Sequence, residues 1–384
     1  MDAREYKALI KKLSSELGFV GAGVTLPRRP AHYDKFLCWL SEGHAVGMGY
    51  LETERARVCR EDPSMLFPEC KTIITLLARY PSPVNLGNIP QTVEQGQVAA
   101  YAWGEDYHTV LVEKLNQLVS NFQAATGRTM RSMAVTDSVP LLERELAQSA
   151  GLGWIGKNSC LISPRHGSFT YIAELLVDVQ LAPDEEMIPD HCGTCQRCVD
   201  ACPTRCIFPD RTIQAERCIS YLTIENRSDI STKLRPLLGN WVFGCDICQS
   251  VCPWNRKLDD KSVDSRFKLH PHLEKRDLVN ELTLSEDGFK RIFAYSPISR
   301  ARRGGYLRNI ALVLGNQRNL KAVNRLIQVM KCDTDPVIRA AAVWALSKIG
   351  GEQIEAELKT ALAGETDVSV CHEINQALDG IEGK

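Results

Sequence analysis

Residues 150–160 read AGLGWIGKNSC, and within them Gly151, Gly153 and Gly156 fit the G-x-G-x-x-G pattern of a dinucleotide-binding unit. Such a loop holds a pyrophosphate only when a strand leads into it and a helix leaves it, because the phosphate rests on the helix N-terminus. Here the order is inverted. PLLERELAQSAG (140–151) carries apolar residues at helical spacing and closes on Gly151 as a C-cap, while SFTYIAELLVDVQL (168–181) alternates and is β-branched, as a strand does. Helix, loop, strand argues against a nicotinamide dehydrogenase. The glycines then either let backbone approach some other cofactor, with Lys157 and Asn158 bonding its polar edge, or simply make a turn tight.

Working outward, KTIITLLARY (71–80), bounded by charge and by Pro81 and Pro83, predicts a buried strand, and RSMAVTD (131–137) a second. TVLVEKLNQLVSNFQAATG (109–127) predicts an amphipathic helix stopping at Gly127. Residues 1–185 therefore read as an α/β domain. The N-terminal stretch MDAREYKALIKKLSSELGF is helical in spacing, charged, and has no apolar h-region, and no run of about 18 apolar residues occurs. No export signal or membrane span is expected, which places the protein in the cytoplasm. Lys plus Arg (46) and Asp plus Glu (47) nearly cancel, so no global field draws the chain to nucleic acid, though a local basic face remains open.

Fifteen cysteines in a chain without an export signal point to metal rather than disulfides, and nine of them lie between Cys192 and Cys252. CGTCQRCVDACP places Cys192, Cys195, Cys198 and Cys202-Pro203 at the bacterial 4Fe-4S spacing, where three close thiolates hold one cluster and the fourth serves the other. A zinc ribbon would want paired C-x-x-C units and explains neither the third close cysteine nor the Cys-Pro. The second run, CDICQSVCPWN, has Val251 where a third ligand would stand. Cross-ligation gives cluster one Cys192, Cys195, Cys198 and Cys252, and cluster two Cys245, Cys248, Cys202 and one more. Cys206 and Cys218 are the candidates; Cys218 is preferred because Cys206 follows Cys202 by one helical turn and reads as a buried apolar thiol. Residues 186–260 thus form a ferredoxin-like module with two 4Fe-4S clusters, a relay whose electrons need a terminal cofactor.

Beyond it, 261–295 reads as a linker with short helices. From 296 an echo appears: SPISRARRGGYLRNIALVLGN (296–316) resembles DPVIRAAAVWALSKIGG (335–351), which suggests HEAT-like helical repeats over 296–384. Arg300, Arg302, Arg303 and Arg308 crowd the first copy, followed by Lys321, Arg325 and Lys331, either as a solvated face or as a phosphate-binding one.

GMGYLETERARVCREDP (47–63), YAWGEDYH (101–108), VTDSVPLLERELAQSAGLGWIGKN (135–158), RCISYLTIE (217–225) and GCDICQSVCPWN (244–255), with the first cysteine run, together resemble the epoxyqueuosine reductases from about residue 45 to the repeats. The resemblance implies a cytoplasmic, cobalamin-dependent iron-sulfur oxidoreductase of queuosine biosynthesis that reduces epoxyqueuosine to queuosine at the wobble position of tRNA with a GUN anticodon. It implies a nitroreductase-like α/β domain holding cobalamin, the two-cluster module, and HEAT-like repeats on the tRNA side. It also implies Cys218 as the eighth cluster ligand. Asp137, in AVTDSVP, matches the family's proton donor, although by position it could equally cap the following helix. Arg60 in CREDP matches an arginine at the cofactor pocket, and Tyr107, Lys157, Asn158, Ser220 and Tyr221 are further carry-overs to the corrin. The D-x-H-x-x-G motif that offers cobalt a histidine is absent, its nearest approach, Asp106-Tyr107-His108, ending in Leu111. Arg300, Arg302, Arg303 and Arg308 would meet the tRNA, a low-potential donor would feed the clusters, and a monomer is expected. A reductive dehalogenase shares cobalamin and two clusters but has no use for an Arg-rich helical array; a noncatalytic ferredoxin-type carrier would leave the α/β domain idle.

Overall fold

A computed structural model describes residues 1–83, 95–187, 190–256 and 262–382. Its strands are β1 (Gly21–Thr25), β2 (Thr72–Arg79), β3 (Gln97–Val98), β4 (Ser132–Val135), β5 (Trp154–Ile155), β6 (Leu161–Ile162), β7 (Thr170–Val177) and β8 (Trp241–Phe243). The helices begin with α1 (Ala3–Glu16), α2 (Tyr33–Ser41), α3 (Glu54–Glu61), α4 (Tyr107–Thr126), α5 (Glu143–Ser149), α6 (Arg197–Ala201), α7 (Ile219–Ile224) and α8 (Ile247–Ser250). They continue as α9 (Pro271–Glu274), α10 (Leu278–Glu281), α11 (Glu286–Phe293), α12 (Arg302–Asn316), α13 (Val323–Cys332), α14 (Pro336–Ile349), α15 (Glu352–Gly364) and α16 (Val368–Glu382).

Compactness divides the chain differently from the four consecutive segments expected. One unit comprises Met1–Gly87, Gly104–Glu216 and Asp246–Lys268; the other comprises Asn88–Trp103, Arg217–Cys245 and Leu269–Lys384. The 186–260 segment is shared between them, and the boundary expected at 260 lies outside the described residues.

In the first unit the strand order is β1-β2-β7-β4 and every pairing is antiparallel. The alternating helix and strand order therefore builds an α+β sheet rather than the parallel sheet typical of α/β folds. All eight residues of β2 are buried, because helices cover both faces. On one face Ile73 and Leu176 pack with Val135, Leu141 and Leu146, so α5 lies across it. On the other, Tyr107 of α4 stacks on Tyr171 of β7 at 4.6 Å. Helix α4 ends as expected, with Gly127 at φ +65°. Helix α1 is closed by a capping box in which the Asp2 side chain accepts from Glu5 N–H and Glu5 answers to the Asp2 N–H.

In the second unit β3 and β8 pair in parallel. The two echoing sequences fall on α12 and α14, which pack on one another, and α16 packs on α14. Residues Gly305–Gly315 of α12 are all buried, as the inner helix of such a stack requires.

Candidate active site

Asp137 stands just past β4, where the chain turns at φ +48°. Non-glycine residues adopt this region at a cost, and such strain gathers at functional sites. It does not cap the next helix: α5 begins at Glu143 and its N-cap position is Leu142. The Asp137 side chain is exposed and accepts a 2.9 Å hydrogen bond from Tyr107 Oη, while its backbone N–H donates to Glu143 Oε1. Tyr107 is buried and clamped between His108 and Tyr171. His108 is satisfied locally, its Nδ1 lying 2.6 Å from Asp106 Oδ1. Arg60, in the last turn of α3, donates to Ala56 O and lies over the Phe36 ring. Burial lowers its pKa, against the pull of Tyr50, Glu143 and Asp137.

Two carboxylates in this corner were not singled out from the sequence. Glu143 has its pKa pushed up to about 8 by burial and by the charge of Asp137. Glu174 of β7 is fully buried on the α5 side of the sheet, opposite Thr75 and Val135, and its carboxyl hydrogen-bonds to Glu143. Burial, then Glu143 and Asp137, hold its pKa well above the carboxylate range. The one available signal was a lone acid inside the apolar run YIAELLV.

The glycine loop lies against the first cysteine run. Trp154–Ile155 and Leu161–Ile162 pair as a short hairpin, and a Cβ on Gly153 would stand 2.3 Å from Ile162 O. Glycine is needed there for the hairpin's own closeness, which favours the tight-turn alternative. The hairpin turns toward the first cysteine run: Lys157 Nζ donates to Gly193 O (2.8 Å) and Cys195 O (3.0 Å). Trp154 Nε1 lies 3.5 Å from Cys192 Sγ, and Trp154 and Cys252 share an apolar cluster with Cys192 and Trp254. Asn158 is buried; its Oδ1 accepts from Cys160 N, and its Nδ2 has no partner among the described residues.

Cys192, Cys195, Cys198 and Cys252 all fall in the first unit, with α6 and α8, the short helices of the two runs, packed together. Cys202 and Cys248 belong to this unit too, Cys218 and Cys245 to the other. Hydrogen bonds from Cys206 and Thr204 pull Cys202 down to about 5, the thiolate form an iron ligand needs. Cys206 itself is buried, 3.5 Å from Cys202 Sγ. Among the described residues no three of these groups are drawn to metal-ligating distance, so the ligand sets rest on spacing. Ser220 and Tyr221 stand half-buried on α7 in the second unit.

The arginine group needs correction. Arg308 is fully buried and spends its guanidinium on the carbonyls of Leu222, Asn226 and Ser228, so it offers nothing to a phosphate. Arg303 is tied to Asp333 and to Leu284 O. Arg300 pairs with Glu225 at 2.8 Å yet is half exposed, and Arg302 is exposed at φ +55°.

Three family models match: "Epoxyqueuosine reductase QueG, DUF1730" over residues 60–138, "4Fe-4S double cluster binding domain" over 191–255, and "HEAT repeats" over 305–379. The epoxyqueuosine reductase of Pseudomonas aeruginosa is 36% identical over 342 residues, 89% of this chain and 94% of its own length. A crystal structure of epoxyqueuosine reductase with a tRNA-Tyr epoxyqueuosine-modified stem loop matches with a TM-score of 0.90 at 30% identity, covering 98% of this chain and 99% of that one. The Bacillus subtilis epoxyqueuosine reductase, with an aspartate catalytic loop swung out of its active site, gives 0.89 at 30% identity over 98% and 99% of the two chains.

Proposed function

The chain belongs to the epoxyqueuosine reductase family, and from that premise we propose that it reduces epoxyqueuosine to queuosine in tRNA with a GUN anticodon, using two 4Fe-4S clusters, a cobalamin and Asp137 as proton donor. The observation that carries the acid assignment is the hydrogen bond from Tyr107 to an exposed, strained Asp137 that caps no helix. In the Bacillus subtilis relative an aspartate catalytic loop is found swung out of the active site, in keeping with an acid that must meet a bulky substrate.

The residues fit a corrin. The unpaired Asn158 Nδ2 is a buried amide donor of the kind that meets a corrin amide carbonyl, and Arg60 offers a partly desolvated cation. Bound there, cobalamin would supply low-potential electrons to the epoxide carbon. The chain's own groups do the rest. Asp137 gives a proton to the departing epoxide oxygen; Tyr107 fixes the carboxyl from which it leaves. Lys157 and Trp154 hold the first cysteine run against the hairpin. We assign Cys192, Cys195, Cys198 and Cys252 to one cluster and Cys202, Cys218, Cys245 and Cys248 to the other, with Ser220 and Tyr221 beside the corrin. Arg300 and Arg302 remain as tRNA contacts on the HEAT-like repeats. A low-potential donor outside the chain feeds the clusters, and the enzyme acts as a cytoplasmic monomer on its tRNA; among the described residues no helix is long and apolar enough to cross a membrane.

Asp137→Asn tests the acid assignment. Turnover on an epoxyqueuosine stem-loop should fall by about 10²- to 10⁴-fold while cobalamin and iron are retained. Unchanged turnover would remove Asp137 from the reaction.

A further inference from the structure

Reducing an epoxide to an alkene breaks both C–O bonds, forms one C=C bond and releases the oxygen as water, so it consumes two electrons and two protons. Asp137, as the acid, delivers one proton at a time. The second must come from a group close enough to reload it within one turnover.

We propose that Glu143 and Glu174 form a proton-sharing carboxyl pair that supplies Asp137 with the second proton. The proposal rests on the reading of Asp137 as the acid. Glu143 is placed by its Oε1, which accepts the Asp137 N–H, and so sits at the base of the same turn. Glu174 lies behind it in the sheet, fully buried, and its carboxyl hydrogen-bonds to the Glu143 side chain. Thr75, paired with Glu174 across β2 and β7, has its Oγ1 unpartnered among the described residues. A purely structural site would fill this apolar face with aliphatic groups; a carboxyl buried there against a second acid is a cost that a functional need explains.

The surroundings favour the protonated form of both carboxyls. Burial raises Glu143 to about 8 with help from the Asp137 charge, and the Asp137 N–H hydrogen bond, then Arg144 of α5 and Arg60 of α3, oppose this less strongly. At Glu174 burial, the charges of Glu143 and Asp137, and the hydrogen bond with Glu143 all act in one direction. Tyr107 faces Asp137 from α4 and donates to its carboxyl, while Glu143 accepts the Asp137 backbone N–H. Each transfer balances: the Glu143 proton passes to the Asp137 carboxylate, the Glu174 proton to the Glu143 carboxylate, and solvent restores the pair between turnovers.

The test compares E143Q, E174Q and D137N holoenzymes with wild type, on an epoxyqueuosine stem-loop. Wild-type kcat should decline as pH rises through about 8, where Glu143 loses its proton. In E143Q and E174Q, kcat at pH 7 should drop at least tenfold with KM unchanged, the alkaline limb should move, and added acetic acid should restore part of the rate. Infrared spectra of resting protein at pH 7 should show protonated-carboxyl bands that each Gln variant diminishes, a readout independent of turnover. Folded Gln variants with wild-type kcat and pH profile beside an inactive D137N would overturn this proposal and leave the Asp137 reading standing, and so would an absence of protonated-carboxyl bands. An active D137N would overturn both.

Discussion

At the scale of single residues, three arginines close in sequence have three different fates. Arg308 is sealed among carbonyls, with burial pushing its guanidinium down to about 10. Replacing it by Met leaves the carbonyls of Leu222 and Ser228 without that donor, so a loss of roughly 3 kcal/mol or more is expected, seen as a lowered Tm. Arg303→Glu should also destabilise, because Asp333 would then face a like charge. Arg302→Glu should leave Tm in place, weaken tRNA binding, and reduce the slope of log K against log salt by about 1. A titration of stem-loop binding across salt concentrations checks this. The difference was partly legible. Arg308 stands inside YLRNIALVL, where its neighbours Leu307, Asn309 and Ile310 are all buried, whereas Arg302 precedes that run. Charge counting alone does not separate a cation on a surface from one that closes a core.

At the scale of elements, the hairpin β5–β6 shows what a glycine pattern can and cannot say. Its sequence context excluded a phosphate loop, but nothing local announced that Lys157 and Trp154 would serve the cysteine run, since those contacts span more than 30 positions. Trp154→Phe keeps the ring and removes the N–H near Cys192 Sγ. Hydrogen bonds to cluster sulfur favour the reduced state, so the midpoint potential of the cluster held by Cys192 should fall by tens of millivolts in an EPR-monitored redox titration. Helix α14 offers a simpler case. Asp335 accepts the Val337 N–H at 2.9 Å ahead of Pro336, a cap readable directly from DPVIRAAA. Asp335→Ala should cost about 1 kcal/mol by chemical denaturation. Helices and buried strands were legible because periodicity fixes them. The antiparallel pairing of β1, β2, β7 and β4 was not, because the central strand β2 is buried on both faces and carries no alternation from which register or direction could be read.

At the scale of the whole molecule, stability against pH should carry the imprint of the acid corner. Asp264 resists burial through hydrogen bonds from Lys114 and Arg266, which hold its carboxyl far below the usual range. That contribution is present at neutral pH and is lost on acidification. Glu143 acts with the opposite sign: its folded pKa of about 8 lies above the ordinary 4.5, so the stability it carries is complete below the unfolded value and is lost as pH rises through the folded one. Glu174 shares that direction. The wild-type Tm should therefore decline between about pH 5 and 8 beyond what its surface charges explain. Glu174→Gln removes the ionisable member without changing its volume, so the variant's Tm should exceed that of wild type at pH 8 and converge with it near pH 5. Calorimetry across that range, on iron-loaded protein, measures the difference. A variant that gains stability while losing turnover would locate the cost of these buried acids in the chemistry they serve, as expected where a fold tolerates strain for function. Equal curves for the two proteins would mean that Glu174 is ionised and compensated in the folded state, and the raised pKa assigned to it would be wrong.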